Sequence, residues 1–159
     1  VLDKEKLRAH IDQLIQDYTR RNTRSKALFN QAHRSMPGGN TRTGVYFSPF
    51  PVYLERGESP IVHDVDGHAL LDFMNNNTAL ILGHAHPVVV DAVRQQVSRG
   101  TGFNRPTELE IVMAEILCQR IPSVESVRFC NSGTEAIICA LRVAKGYTGK
   151  TKIAKFEGA

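Results

Sequence analysis

The sequence predicts an α/β fold, and three observations predict it. An amphipathic helix opens the chain, a series of short apolar runs separated by turns follows, and the last third alternates strand, loop, helix and strand.

Over residues 4–18, Leu7, Ile11, Leu14, Ile15 and Tyr18 fall on one helical face. Such a stripe needs a surface to lie against, from the rest of the chain or from a partner subunit. A second helix is expected over residues 25–35, stopped by Pro37-Gly38-Gly39. The period then changes. Val52-Tyr53-Leu54-Glu55, Ile61-Val62-His63-Asp64 and Ala69-Leu70-Leu71-Asp72 are short apolar runs. Gly57-Glu58-Ser59-Pro60 and the two-residue turn Asp66-Gly67 separate them, which predicts a small antiparallel meander. Asn75-Asn76-Asn77-Thr78 is too polar and turn-prone to extend a strand. A helix is expected to start at Pro87 and run to residue 99, before Gly100. Thr107 and Glu110 have capping-box spacing and open another, to residue 120.

In the last third, residues 126–130 read as a buried strand and Asn131-Ser132-Gly133-Thr134 as a tight loop. Residues 135–145 read as a helix ended by Gly146, and residues 152–156 as a second strand. That order makes a βαβ unit with parallel strands and a right-handed crossover. Parallel sheets have several strands and are covered on both faces, so this chain is expected to be the first part of a longer one.

Composition narrows the function classes. A chain of 159 residues that is 42% hydrophobic and 23% charged is an ordinary globular protein of about one domain's length. No apolar run approaches the roughly 20 residues of a membrane span. The N-terminus alternates charged and apolar residues, unlike a signal peptide. Cys118, Cys130 and Cys139 show no metal or redox spacing and read as reduced fillers, which favours a cytoplasmic protein. The net charge is +4, but the densest basic stretch (Arg20, Arg21, Arg24, Lys26) has no interleaved aromatics and reads as a solvated face. Neither nucleic acid nor membrane is an expected partner.

One loop carries chemistry. Ser132-Gly133-Thr134, between a strand and a helix, directs free backbone N–H groups and two hydroxyls to one place, where the helix dipole adds partial positive charge. Glycine lets an anion approach the backbone without a Cβ in the way. The loop suits a phosphate, but by itself it is a weak signal, because Ser or Thr capping a helix after a strand is common for purely structural reasons.

The run Arg128-Phe129-Cys130-Asn131-Ser132-Gly133-Thr134-Glu135-Ala136, with Leu141-Arg142-Val143-Ala144 and Tyr147-Thr148-Gly149, resembles the N-S-G-T-E-A segment of class III aminotransferases. The branch it is most similar to contains glutamate-1-semialdehyde aminomutase. Pro37-Gly38-Gly39, Asp64-Val65-Asp66-Gly67, Asp72-Phe73, Gly83-His84-Ala85-His86-Pro87 and Lys155-Phe156-Glu157-Gly158 extend the resemblance, in order and spacing, over residues 31–159. It implies the fold of the fold-type-I pyridoxal-phosphate enzymes. Residues 1–72 would be helices and meander of the small domain, and residues 73–159 the beginning of the large cofactor-binding domain.

By the same resemblance Ser132, Gly133 and Thr134 bind the phosphate of pyridoxal 5'-phosphate, Asn131 holds the loop, and Glu135 is a dipole partner. The lysine that forms the Schiff base, and the aspartate that pairs with the pyridinium nitrogen, are expected beyond Ala159. None of Lys145, Lys150, Lys152 or Lys155 sits in that motif. No catalytic residue is therefore expected within the chain, which alone would be inactive. Arg42, in Gly-Gly-Asn-Thr-Arg, matches an arginine that some members use to grip a substrate carboxylate, and it equally suits a surface loop. Where the aminomutase has Gly-Ser-Trp-Gly this chain has Asn75-Asn76-Asn77-Thr78, which favours a transaminase acting on another amino acid. The aminomutase is the alternative, and a homodimer with shared active sites is the implied assembly. Two other readings compete: a metal-dependent hydrolase built on the His84-Ala85-His86 pair, and a catalytically silent fragment.

Overall fold

The computed structural model describes residues 3–158. The chain divides into two compact units, Val1–Thr101 and Gly102–Ala159.

The first unit begins with α1 (Lys4–Arg21) and α2 (Thr23–Ala32). Asp3 caps α1, its carboxylate accepting from the Glu5 and Lys6 N–H groups at 3.1 and 3.4 Å. The helix runs three residues past the predicted stripe. Its Leu7, Ile11, Leu14 and Ile15 remain between 39% and 55% exposed, so among the described residues that face is mostly uncovered. Tyr18 is better engaged. Its ring lies 5.1 Å from Phe50 and 5.9 Å from Phe47, and its hydroxyl donates to the Phe50 carbonyl at 2.8 Å. Phe50 also meets Phe29 of α2 at 6.3 Å and is 3% exposed, so it pins the segment after the Pro37–Gly39 3-10 turn to both helices.

The predicted meander is present with adjusted bounds: β1 (Leu54–Glu58), β2 (Ile61–Asp64) and β3 (Ala69–Leu71), all antiparallel in that order. Gly57, read from sequence as a turn residue, pairs with Val62 inside the ladder, and only Ser59-Pro60 turn the chain. The second hairpin also differs. His63 pairs with Ala69 and the Asp64 N–H donates to the His68 carbonyl, so the loop is three residues, Val65-Asp66-Gly67, rather than two. Gly67 takes the positive φ of 92° that such a loop needs.

This hairpin loop ties the sheet to the helices. Asp64, 2% exposed, accepts from the Asp66 and His68 N–H groups at 3.0 and 2.8 Å and from the His68 ring at 2.8 Å. Asp66 points the other way and caps α2: its oxygens accept from the Arg24 and Ser25 N–H groups at 2.7 and 3.1 Å and from the Ser25 hydroxyl. Ser25 is fully buried, and its Oγ in turn accepts from the Tyr53 N–H at 3.1 Å.

Asn75–Thr78 forms a single helical turn, α3, where sequence suggested only a non-strand loop. All four residues have positive φ, between 46° and 67°, a left-handed run that asparagine tolerates better than most residues. α4 (Pro87–Val97) starts at its proline as expected.

In the second unit, α5 (Glu108–Arg120) opens with the Glu110 carboxylate accepting from the Thr107 N–H at 3.3 Å. α6 (Gly133–Thr148) runs through Gly146, which costs about 1 kcal/mol relative to alanine. It stops instead at Gly149, whose φ of 66° completes the C-cap. Residues 126–130 and 152–156 are not strands, which corrects the predicted βαβ unit to an extended segment, a helix and an extended segment. A strand exists through its ladder, and neither segment belongs to the sheet found among the described residues. No described residue of this unit is buried.

The two loop carboxylates make the first unit sensitive to acid. Burial alone would raise the carboxyl of Asp64, but its hydrogen bonds from His68 and Asp66 outweigh that and hold it below the ordinary range. Asp66 behaves alike through Ser25 and Arg24. Stability from a lowered carboxyl is present above its ordinary value of 3.8 and is lost as pH falls below that through the lowered folded value. Urea unfolding of the first unit, followed between pH 6 and pH 2, is expected to show stability dropping in that acid window. Asp66→Asn should flatten the drop; an unchanged slope would remove Asp66 as its source.

Candidate functional site

The loop singled out from sequence begins α6 as predicted. Ser132 has extended backbone (φ −151°, ψ 158°) and is the N-cap, its Oγ accepting from the Glu135 N–H at 3.2 Å. The Glu135 carboxylate accepts from the Asn131 N–H at 2.7 Å. The first bond is an ordinary N-cap, and the second reaches one residue further back, to the residue before the cap, so the pair differs from a capping box, in which Glu135 would take the Ser132 N–H. Asn131 therefore holds the loop, through its backbone N–H, and Glu135 does more than face the helix dipole.

The two bonds satisfy the N–H groups of Asn131 and Glu135 and leave those of Ser132, Gly133 and Thr134 without a protein acceptor among the described residues. A Cβ built on Gly133 would meet nothing within 4 Å, so the space over these donors is open. Open donors in a first turn are ordinary, and α5 has them too at Glu108 and Leu109. The difference is chemical. α5 places a carboxylate at its first position, which repels an anion, whereas α6 places glycine there between two hydroxyl residues. The residues at α6 fit a phosphate and those at α5 do not.

Arg42 belongs to the first unit, in the loop after the Pro37–Gly39 turn. Its N–H donates to the Asn40 side-chain oxygen at 3.0 Å, and its exposed side chain has no ion pair among the described residues. The cation is available to an anionic group.

The His84/His86 pair does not assemble as a metal site. His84 spends Nε2 on Asp72 Oδ2 at 2.6 Å, and His86 Nδ1 is buried without a partner. No three His, Cys, Asp or Glu side chains gather to hold an ion among the described residues. What sequence reasoning missed is the scaffold that His84 completes. Its backbone N–H and C=O exchange bonds of 2.9 Å with Ser59, and its ring lies over Gly57. The ring holds the Asp72 carboxyl below its usual range, helped by the Asn75 N–H. Asp72 Oδ1 accepts from the Met74 and Asn75 N–H groups at 3.0 and 2.9 Å, securing the start of the left-handed turn. The spacing of Asp72 from His84 gave no sign of the pairing, which depends on the Ser59 bridge. Cys118, Cys130 and Cys139 are free thiols.

A small antiparallel sheet tied to two helices, followed in sequence by a helix with open donors at its start, places the chain among proteins that combine α and β structure. Residues 44–159 match the aminotransferase class-III family, and the chain belongs to it. A glutamate-1-semialdehyde 2,1-aminomutase from an Exiguobacterium species is 51% identical over 139 residues, covering 86% of this chain and 32% of the relative. The crystal structure of an omega-transaminase from Sphaerobacter thermophilus is also 51% identical, with a TM-score of 0.81 over 84% of this chain and 31% of that one. A transaminase with PLP bound is 49% identical, with a TM-score of 0.83 over 87% and 32%. The chain thus spans about a third of the length of the relatives it matches. These relatives have the fold type I architecture expected from the sequence.

The packing of His84 over Gly57 is directly testable. A Cβ at Gly57 would lie 2.6 Å from His84 Cγ, so Gly57→Ala is expected to push the ring off Asp72 and destabilise the first unit by about 1–3 kcal/mol. Nitrogen NMR of the His84 ring together with chemical denaturation would check it; an unmoved ring signal would show that the ring does not depend on this glycine.

Proposed function

We propose that the complete protein is a pyridoxal-5'-phosphate-dependent transaminase, moving an amino group between an amino acid and a keto or aldehyde acceptor. This chain's part is to anchor the cofactor phosphate on Ser132, Gly133 and Thr134. The observation that carries the reading is the pair of unpaired N–H groups of Gly133 and Thr134 at the start of α6, under open space. When bound, the cofactor supplies an aldehyde that takes the amino group covalently and a ring that withdraws electrons. Residues of this chain bind and orient: the two N–H groups and the dipole of α6 hold the phosphate oxygens, and the Ser132 and Thr134 hydroxyls donate further bonds. Arg42, whose exposed side chain has no ion pair among the described residues, grips a substrate carboxylate as a bidentate partner in this reading.

The names of the relatives support two substrate classes equally, since the aminomutase and the omega-transaminase are each 51% identical. Asn75-Asn76-Asn77-Thr78, which brings no aromatic ring, favours the transaminase. The curated relatives' aminomutase name supports the other. The same reading includes a cytoplasmic homodimer with shared active sites, with residues 1–72 in its small domain and residues 73–159 beginning the large one.

In the complete protein, Gly133→Val is expected to weaken pyridoxal 5'-phosphate by at least about tenfold, the equivalent of one charge-assisted hydrogen bond. Thr134→Ser, which keeps the hydroxyl, should stay close to wild type. Titration of the apoprotein with cofactor checks this, and equal affinities for all three proteins would leave the loop as a helix cap only.

Arg42→Ala is expected to weaken a carboxylate-bearing substrate by about ten- to a hundredfold and a simple amine much less. Steady-state kinetics with matched substrates separates the two, and equal losses would assign Arg42 to the loop's structure.

A further inference from the structure

We infer that Glu135 is a positioning residue for the phosphate cradle; the inference rests on the functional reading above. Five N–H groups, from Asn131, Ser132, Gly133, Thr134 and Glu135, crowd the start of α6. Glu135 removes two of them from competition. Its carboxylate takes the Asn131 N–H at 2.7 Å, and its own N–H is committed to Ser132 Oγ at 3.2 Å. The Ala136 N–H returns to the Ser132 carbonyl at 3.1 Å, so bonds within residues 131–136 hold the loop to the helix. What remains unpaired in the helix itself, the Gly133 and Thr134 N–H groups, continues from the equally unpaired Ser132 N–H and lies where a Cβ on Gly133 would meet nothing within 4 Å.

Charge cannot be the reason for this residue at this site. A carboxylate in the first turn favours the helix but repels a phosphate dianion at the same terminus. Its benefit to phosphate binding must come from the hydrogen bond it accepts. An acceptor without charge should therefore serve as well, and loss of the acceptor should release the Asn131 N–H and let the loop relax away from the arrangement that leaves the other two donors free.

The test compares pyridoxal 5'-phosphate with pyridoxal, which lacks the phosphate, on the apo form of the complete protein. Glu135→Ala is expected to weaken pyridoxal 5'-phosphate by about tenfold or more while pyridoxal changes less than about threefold. Glu135→Gln, which keeps an acceptor oxygen, should restore the phosphate preference. Equal weakening of both ligands by Glu135→Ala would mean general destabilisation and would overturn the inference. So would a Glu135→Gln protein as impaired as Glu135→Ala. Gly133→Val separates the two levels: if it abolishes the phosphate preference and Glu135→Ala does not, the cradle stands and the role of Glu135 falls. If Gly133→Val leaves the preference intact, the phosphate reading fails and this inference fails with it. Thermal melting of each variant, and Gly133→Ala in place of Gly133→Val if the latter does not fold, keeps folding apart from binding.

Discussion

The first unit depends on one tight loop that carries two carboxylates facing opposite ways. Asp64 bonds inward to the N–H groups and ring of its own hairpin, which fixes the loop. Asp66 can then reach across to the first turn of α2 and to buried Ser25. A carboxylate at a helix N-terminus gains from the dipole as well as from the N–H groups. Moving either residue would leave polar groups unpaired where water does not reach: the Ser25 hydroxyl, the Tyr53 N–H, or Asp64 itself. The helices and the meander are joined by this polar link and by Phe50, and the other apolar contacts are sparse.

The same physics produces opposite results at the two helix starts that matter. At α2 the protein fills its own anion site, with Asp66 where a ligand would otherwise sit. At α6 the local carboxylate is turned back onto Asn131, so the first two donors stay open. A helix start becomes a binding site when the chain satisfies enough of it to hold its shape and leaves the rest unmet. Glycine at the first position and hydroxyls on either side decide what can enter, and α5, with Glu108 in that place, marks the contrast.

The elements legible in the sequence are those whose causes lie within a few residues. The stripe of α1, the proline start of α4, the capping residues of α5 and the Ser-Gly-Thr start of α6 all follow from neighbours at i+1 to i+4. The two hairpins were legible too, but their turn bounds shifted by a residue or two. Gly57 is held in its strand by His84, which is remote in sequence, and the Asp66 loop is lengthened by bonds to α2. Residues 126–130 and 152–156 have the composition of strands, yet composition supplies only the propensity. The one sheet among the described residues is made of β1, β2 and β3, and these two segments stay extended outside it. His84 and Asp72 show the limit from the other side. The sequence offered His84 only as half of a metal pair, and its structural role follows from the Ser59 bonds that hold its backbone beside Asp72.

This division between local and distant causes explains why the candidate site is intact in a unit with no buried residue. The Ile137 and Val143 side chains of α6 are 62% and 71% exposed, so packing does not hold the helix start in place. Six consecutive residues, 131–136, do, through bonds that close within themselves. The direction in which Gly133 and Thr134 offer their N–H groups is thus set before any sheet is built around them. A surrounding sheet would add rigidity and exclude water, strengthening every electrostatic contact at the loop. It would not need to create the geometry.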